Sequence, residues 1–221
     1  MIKAILFDAY GTLLSTGNGS VEAAEKILVM NCRADIDPKE FYAQWKIFHK
    51  THMDCLDSFV TEEKIFEKDL RELYNLYSIK GDYKKDVQIM LDTLGKRKAF
   101  PEVREVLEKL SQKYIVAIGS TTDTAPLLRD IENNHLNVSK IFTSESLRVY
   151  KPRRAFYEKI LAELNVDADE ALFVGDSLID DVKGPQNAGI RACWVNRKGG
   201  KTGETQPNFE IKDLRELLNI L

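Results

Sequence analysis

Leu172-Phe173-Val174-Gly175-Asp176 is an apolar run that closes on a glycine and a carboxylate. Two other stretches end in a similar way: Ile5-Leu6-Phe7-Asp8 and Val116-Ala117-Ile118-Gly119-Ser120. Short apolar runs separated by helical periodicity read as strands buried on both faces of a parallel sheet. Ligands of such a sheet bind in the crevice beyond the carboxyl ends of its strands. Runs ending in Asp8, Ser120 and Asp176 therefore predict two carboxylates and a hydroxyl around one pocket. A sheet with only a structural role has no use for them there.

Between the first strand and the second the pattern is helical, from about 20 to 94. Ser20 is expected to cap a helix carrying Val21, Ala24, Ile27 and Leu28. Asp37-Pro38 reads as a cap with a first-turn proline, followed by Phe41, Trp45, Phe48 and His52 at helical spacing. A third helix holds Ile65, Leu70, Leu73 and Leu76, and a fourth Tyr83, Val87, Met90, Leu91 and Leu94. Past Pro101 strand and helix alternate. Strands are expected at 115–119, 141–143, 171–174 and 192–195, and helices at 124–133, after Lys151-Pro152, and over 180–188. An edge strand at 209–211 and a closing helix at 214–221 follow. The polar stretch 196–207 reads as a mobile loop. The predicted fold is α/β: a Rossmann-like parallel sheet with helices on both faces, plus an inserted all-helical unit.

Composition narrows the function. Of 221 residues, 43% are hydrophobic and 30% charged, as in an ordinary globular protein. A net charge of −3 supplies no basic excess for nucleic acid or an anionic membrane surface. No apolar run approaches the ~18 residues of a membrane span. The start MIKAILFD lacks the basic, apolar and cleavage regions of an export signal. Cys32, Cys55 and Cys193 are scattered and unpaired in spacing, which fits a reducing cytoplasm. The expected partner is a small molecule, and the oligomeric state is not legible.

Each polar strand end has a chemical and an ordinary reading. Asp8, followed by a turn glycine, suits a nucleophile or a metal ligand, or an N-cap. Asp176, Asp180 and Asp181 crowd carboxylates that repel one another unless a cation balances them. An all-oxygen donor set selects a hard ion, with Mg²⁺ the leading candidate, although Asp180 or Asp181 also suits a helix start. Ser120, Thr121 and Thr122 before a helix suit either an anion grip or a cap. Lys151 suits phosphate or a solvated surface. Trp45, Lys46, His49 and His52 share a helix that can face the pocket, with Trp45 and the histidines expected to pack within the helical unit. Arg153 and Arg154 read as surface residues.

Taken in order, Asp8, Ser120, Lys151 and Asp176 with Asp181 resemble the haloacid dehalogenase (HAD) superfamily of aspartate-nucleophile hydrolases. FDAYGTLL (7–14), YKPRRAFYEKIL (150–161) and VGDSLIDDVKGPQNAGI (174–190) are similar to its first, third and fourth motifs. The resemblance implies a catalytic core at 1–15 and 98–221, with a C1-type helical cap and its return linker at 16–97. It implies Asp8 as nucleophile, Ser120 with Thr121 holding the transferred group, and Lys151 bridging that group and Asp8. Asp176 would ligate the metal, Asp181 support it, and the Tyr10 backbone carbonyl complete the set. The motifs pull two ways. Phosphatases of the superfamily carry an aspartate two positions after the nucleophile, where this chain has Tyr10, and DAYGT is similar to the 2-haloacid dehalogenases. The acidic fourth motif instead resembles metal-dependent phosphatases. The expectation is a Mg²⁺-dependent phosphomonoester hydrolase, with a metal-independent dehalogenase or a catalytically weakened binding protein as alternatives.

Overall fold

The computed structural model describes residues 1–221. Chain order runs β1 (Ala4–Phe7), α1 (Gly19–Met30), α2 (Pro38–Asp54), α3 (Glu62–Leu76), α4 (Tyr83–Leu91) and α5 (Val103–Leu110). It continues through β2 (Ile115–Ser120), α6 (Thr124–Asn133), β3 (Lys140–Thr143), α7 (Ser144–Leu147), α8 (Arg154–Leu164) and β4 (Ala171–Gly175). A π-helical turn over Leu178–Lys183 leads into α9 (Gly184–Asn187), and β5 (Arg191–Val195), β6 (Phe209–Ile211) and α10 (Leu217–Ile220) complete the chain.

The six strands form one sheet in the order β3-β2-β1-β4-β5-β6, every pair parallel. Period-two alternation decides what each face packs against. Ile5, Phe7, Val116, Ile118, Leu172 and Val174 lie in one apolar cluster with Val103, Val106 and Leu107 of α5. Leu6, Ala117 and Phe173 face the other way, onto Phe156, Tyr157 and Ile160 of α8. Both faces are therefore covered, which is why these strands read as unbroken apolar runs. The α/β reading holds.

Strand order reverses at β1, with β2 on one side and β4 on the other. Phe7 is in register with Ile118 of β2 and Val174 of β4. Asp8, Ser120 and Asp176 therefore leave the same edge of the sheet within about a residue of one another. The Asp8 N–H continues the ladder, donating to the Val174 carbonyl at 2.9 Å.

Helices α1–α4 pack around their own core, in which Ala24, Ile27, Phe41, Trp45, Leu70, Leu73 and Met90 are buried. Asp37 accepts from the Lys39 N–H at 2.8 Å, as the Asp-Pro pair predicts. This insert also buries an ionic centre. Fully buried Asp69 accepts from Trp45 Nε1 at 3.2 Å and lies 2.7 Å from His49 Nδ1 and 2.5 Å from His52 Nδ1. The two histidines thus face one carboxylate, as cap-packing groups.

Several local readings need correction. Ser20 lies inside the first turn of α1 and accepts from Arg97 at 3.3 Å; Asn18 precedes the helix, without a side-chain cap bond. Leu76 ends α3 and is 54% exposed, because the last turn overhangs the insert's core. Leu94 lies beyond α4, which ends at Leu91. The helix expected over 180–188 is a π turn followed by the short α9, and it is Ser177 that caps, accepting from the Asp180 N–H at 3.1 Å. The loop 196–207 is pinned at its start. Arg197 donates to Thr12 O at 2.9 Å and Glu102 Oε1 at 2.6 Å, and lies over the Phe100 ring.

Asp69→Ala strips three buried donors of their partner. It is expected to lower the unfolding free energy by about 3 kcal/mol in urea titrations at pH 7. Asp69→Asn, which keeps an acceptor, should cost less.

Candidate active site

At the carboxyl edge of the sheet, Lys151 is buried to 5% exposure between two carboxylates. Its Nζ donates to Asp8 Oδ1 and to Asp181 Oδ1, each at 2.8 Å. Burial alone lowers a lysine, but Asp181 and Asp8 outweigh it and hold the ammonium pKa above its ordinary value. Asp8, Asp176 and Asp181 each offer an oxygen within 4.8 Å of the others. Two glycines leave room for this crowding. At Gly11, whose φ is +98°, a Cβ would lie 2.4 Å from Asp176 Oδ2, and at Gly175 a Cβ would lie 2.3 Å from Asp181 Cγ. Asp181 also accepts from the Ser177 N–H at 2.9 Å, and Trp194 Nε1 donates to the Asp176 carbonyl at 2.9 Å.

Three carboxylates against one ammonium leave charge unbalanced. Burial, with Asp8 alongside, raises the Asp176 pKa to about 6. Burial also raises Asp181, against the pull of Lys151 and with Asp8 adding to the rise. Oxygen donors in a half-desolvated cluster suit a hard divalent cation.

The three hydroxyls after β2 separate in role. Ser120 is buried at the strand end. The buried Thr121 hydroxyl has no protein partner, while Thr122 donates to Glu62 Oε2 at 2.9 Å. Tyr10 lies two positions after Asp8 in sequence, but its hydroxyl donates to Asp130 Oδ2 at 3.0 Å on α6, and burial pushes its pKa up. Its phenol is thereby committed to the core.

A cavity of about 550 Å³ lies between the insert and the sheet edge, and Trp45, Lys46, His49, Thr121, Lys151 and Arg153 are among its walls. Arg153 is exposed, as expected, and also donates to Leu56 O of the insert at 2.8 Å. Arg154 is exposed and pairs with Glu158. Sequence reading missed Glu62, Asp123 and Tyr150. Asp123 accepts from the Glu62 and Glu63 N–H groups at 2.9 and 3.1 Å, and the Tyr150 hydroxyl donates to Val60 O at 3.0 Å. These pairs lie 60 to 90 residues apart in the chain, and no local pattern announces them.

Residues 2–189 match the family described as haloacid dehalogenase-like hydrolase, and the chain belongs to that family. It is 35% identical over 85 residues to the pyrimidine 5'-nucleotidase PynA of Streptococcus pneumoniae, covering 38% of this chain and only 36% of that protein. Over essentially the full chain it is 27% identical to a glyceraldehyde 3-phosphate phosphatase of Pyrococcus abyssi, covering 94% of it. It is 23% identical to (S)-2-haloacid dehalogenase 4A of Burkholderia cepacia, covering 92% of it. In fold it is similar to the L-2-haloacid dehalogenase RSc1362, with TM-score 0.81 and 20% identity over 99% of this chain and 98% of that one. The HAD-hydrolase YfnB of Bacillus subtilis, solved with bound magnesium, superposes with TM-score 0.80 at 22% identity, over 100% and 98% of the two chains. The relatives in this family include both phosphatases and a dehalogenase. No helix is long and apolar enough to cross a membrane.

The raised Asp176 pKa carries a stability cost with a definite sign. A folded pKa above the unfolded 3.8 means that the folded state gains stability as pH falls through about 6. That gain is lost as pH rises past 6. Without divalent cation, Asp176→Asn should therefore stabilise the protein by about 1–2 kcal/mol at pH 8, after allowing for solvent screening. Near pH 4 it should do little. Thermal melts across that range, with and without Mg²⁺, check this. Mg²⁺ should raise the wild-type Tm more than that of the variant.

Proposed function

We propose that this protein is a Mg²⁺-dependent hydrolase of small phosphomonoesters, working through an aspartyl-phosphate on Asp8. The supporting observation is the cluster of Asp8, Asp176 and Asp181 oxygens within 4.8 Å, with Lys151 as the single ammonium bonded to it. A dianionic phosphate beside this cluster needs further positive charge, whereas a monocarboxylate haloacid needs less. Asp8, Asp176 and the Tyr10 carbonyl would hold the ion, with Asp181 supporting it. Bound there, the ion would offset negative charge on the phosphoryl group as it approaches Asp8.

The remaining steps belong to the chain. Lys151 engages Oδ1 of Asp8, which fixes the carboxylate and leaves Oδ2 as the attacking atom. Ser120 and the unpartnered Thr121 hydroxyl donate to the transferred group, an electrostatic grip set before the substrate arrives. Lys151, already charged, balances the negative charge passing from substrate to Asp8. Basic side chains on the cavity wall, Lys46 and Arg153, favour an anionic ligand, and closure of the insert over the sheet edge excludes water.

Tyr10 favours the second reading, a metal-independent 2-haloacid dehalogenase, because halide departs without a proton and the phenol is occupied by Asp130. A catalytically weakened binding protein is the third.

Purified protein given p-nitrophenyl phosphate or 2-chloropropionate, each with Mg²⁺ or EDTA, separates these readings. Phosphate release that EDTA suppresses at least tenfold is expected, together with complete loss in Asp8→Asn. Halide release insensitive to EDTA would replace the phosphatase with the dehalogenase. Tight Mg²⁺ binding with no turnover of either substrate would leave the binding protein.

A further inference from the structure

An alkyl phosphate needs a proton on its departing oxygen, and the nucleophile loop has no group to give it. Tyr10 is bonded to Asp130 at 3.0 Å. The helical insert supplies two carboxyl groups to the cavity wall, Asp54 and Glu62. Asp54 is exposed and paired with Lys50 at 2.9 Å.

Glu62 is placed differently. It begins α3, and its side chain is 15% exposed. One carboxylate oxygen accepts from the Thr122 hydroxyl at 2.9 Å, and the other lies 4.0 Å from His49 Nε2. His49 meets Asp69 through its second nitrogen at 2.7 Å. Asp69, His49 and Glu62 thus form a series that runs from the insert's core to the cavity. Asp123 holds the Glu62 and Glu63 N–H groups, so the sheet domain fixes both backbone and side chain of Glu62. The carboxyl holds this position with the insert seated on the sheet edge.

The geometry points to Glu62 as the general acid and base of this site, supplied by the cap where the nucleophile loop carries a tyrosine. The inference rests on the phosphatase reading above. Protonated Glu62 gives its proton to the ester oxygen as the bond from that oxygen to phosphorus breaks and the Asp8 oxygen–phosphorus bond forms. The Glu62 carboxylate then takes a proton from water as the water oxygen bonds to phosphorus and the Asp8 oxygen–phosphorus bond breaks. Inorganic phosphate leaves, and both carboxyl groups return to their starting states.

The surroundings favour the protonated carboxyl more than water does. Burial pushes Glu62 up; His49 and the Thr122 bond oppose it, and the charge of Asp123 adds to the rise. The phenols of Tyr10 and Tyr150 also feel its charge. Lys46 and Lys151 stand on the same cavity wall. His49, pulled down by burial, is raised overall by its Asp69 bond and by the Glu62 and Asp69 charges.

Glu62→Gln, which keeps an acceptor for Thr122, tests this with two esters in the presence of Mg²⁺. Glycerol 2-phosphate has an alkoxide leaving group, whereas nitrophenolate departs without a proton. Turnover of glycerol 2-phosphate should fall at least a hundredfold. With p-nitrophenyl phosphate the variant should show a burst of about one equivalent of nitrophenolate at a rate within tenfold of wild type. Slow turnover should follow, because water attack now lacks its base. Equal losses in the first step for both esters, or no loss for either, would overturn the assignment while leaving the phosphatase reading intact. A wild-type enzyme inert to both esters would instead remove the phosphatase reading, and this inference with it. A melting temperature within a few degrees of wild type controls for folding. If the variant unfolds, Glu62→Asp, which withdraws the carboxyl by one methylene, is read by the same two esters.

Discussion

The ammonium of Lys151, buried between Asp8 and Asp181, is the contact on which the site depends. Without it three carboxylates would crowd one edge of the sheet with no positive charge bonded among them, and the cheapest response would be protonation. With it, Asp8 is oriented by one oxygen and free at the other. Three carboxylates still outnumber one ammonium, and burial together with the Asp8 charge shifts Asp176 upward in the folded state. The folded state thereby gives up stability locally, as is common where function requires charge in a poorly solvated place.

The sheet makes the arrangement possible. Because β1 lies between β2 and β4 in matched register, the ends of three strands far apart in sequence open onto one crevice. Rigid parallel strands covered on both faces hold those ends within a few ångströms without contribution from flexible loops. The glycines at 11 and 175 then admit two carboxylates into space that a methyl group would fill.

The helical insert stands differently toward this scaffold. It has its own apolar core and a buried Asp69 centre, and it touches the sheet edge through polar contacts and one aromatic stack: Asp123 to the start of α3, Thr122 to Glu62, Tyr150 to Val60, Arg153 to Leu56, and the Phe59 ring on Tyr150 at 5.2 Å. Contacts of this kind are directional and small in apolar area, so they define a seat without the cost of separating a large hydrophobic interface.

What the chain's linear order determined is the sheet. Apolar runs of β1, β2 and β4 and their polar last residues were enough to place Asp8, Ser120 and Asp176 at one edge, because strand burial follows from local pattern, while Lys151 and Asp181 were placed there by the resemblance of their motifs. Irregular backbone was less legible. The π turn at 178–183 accompanies Asp181 turning into the space above Gly175, which no periodicity encodes. Tyr10 could be read as a missing acid but not as a partner of Asp130, and His49 with His52 could be read as a pair but not as a pair around Asp69. Only the tertiary structure decided that Glu62 faces the cavity. Its position depends on hydrogen bonds between segments some 60 residues apart, and a contact made across space leaves no signature in the residues beside it.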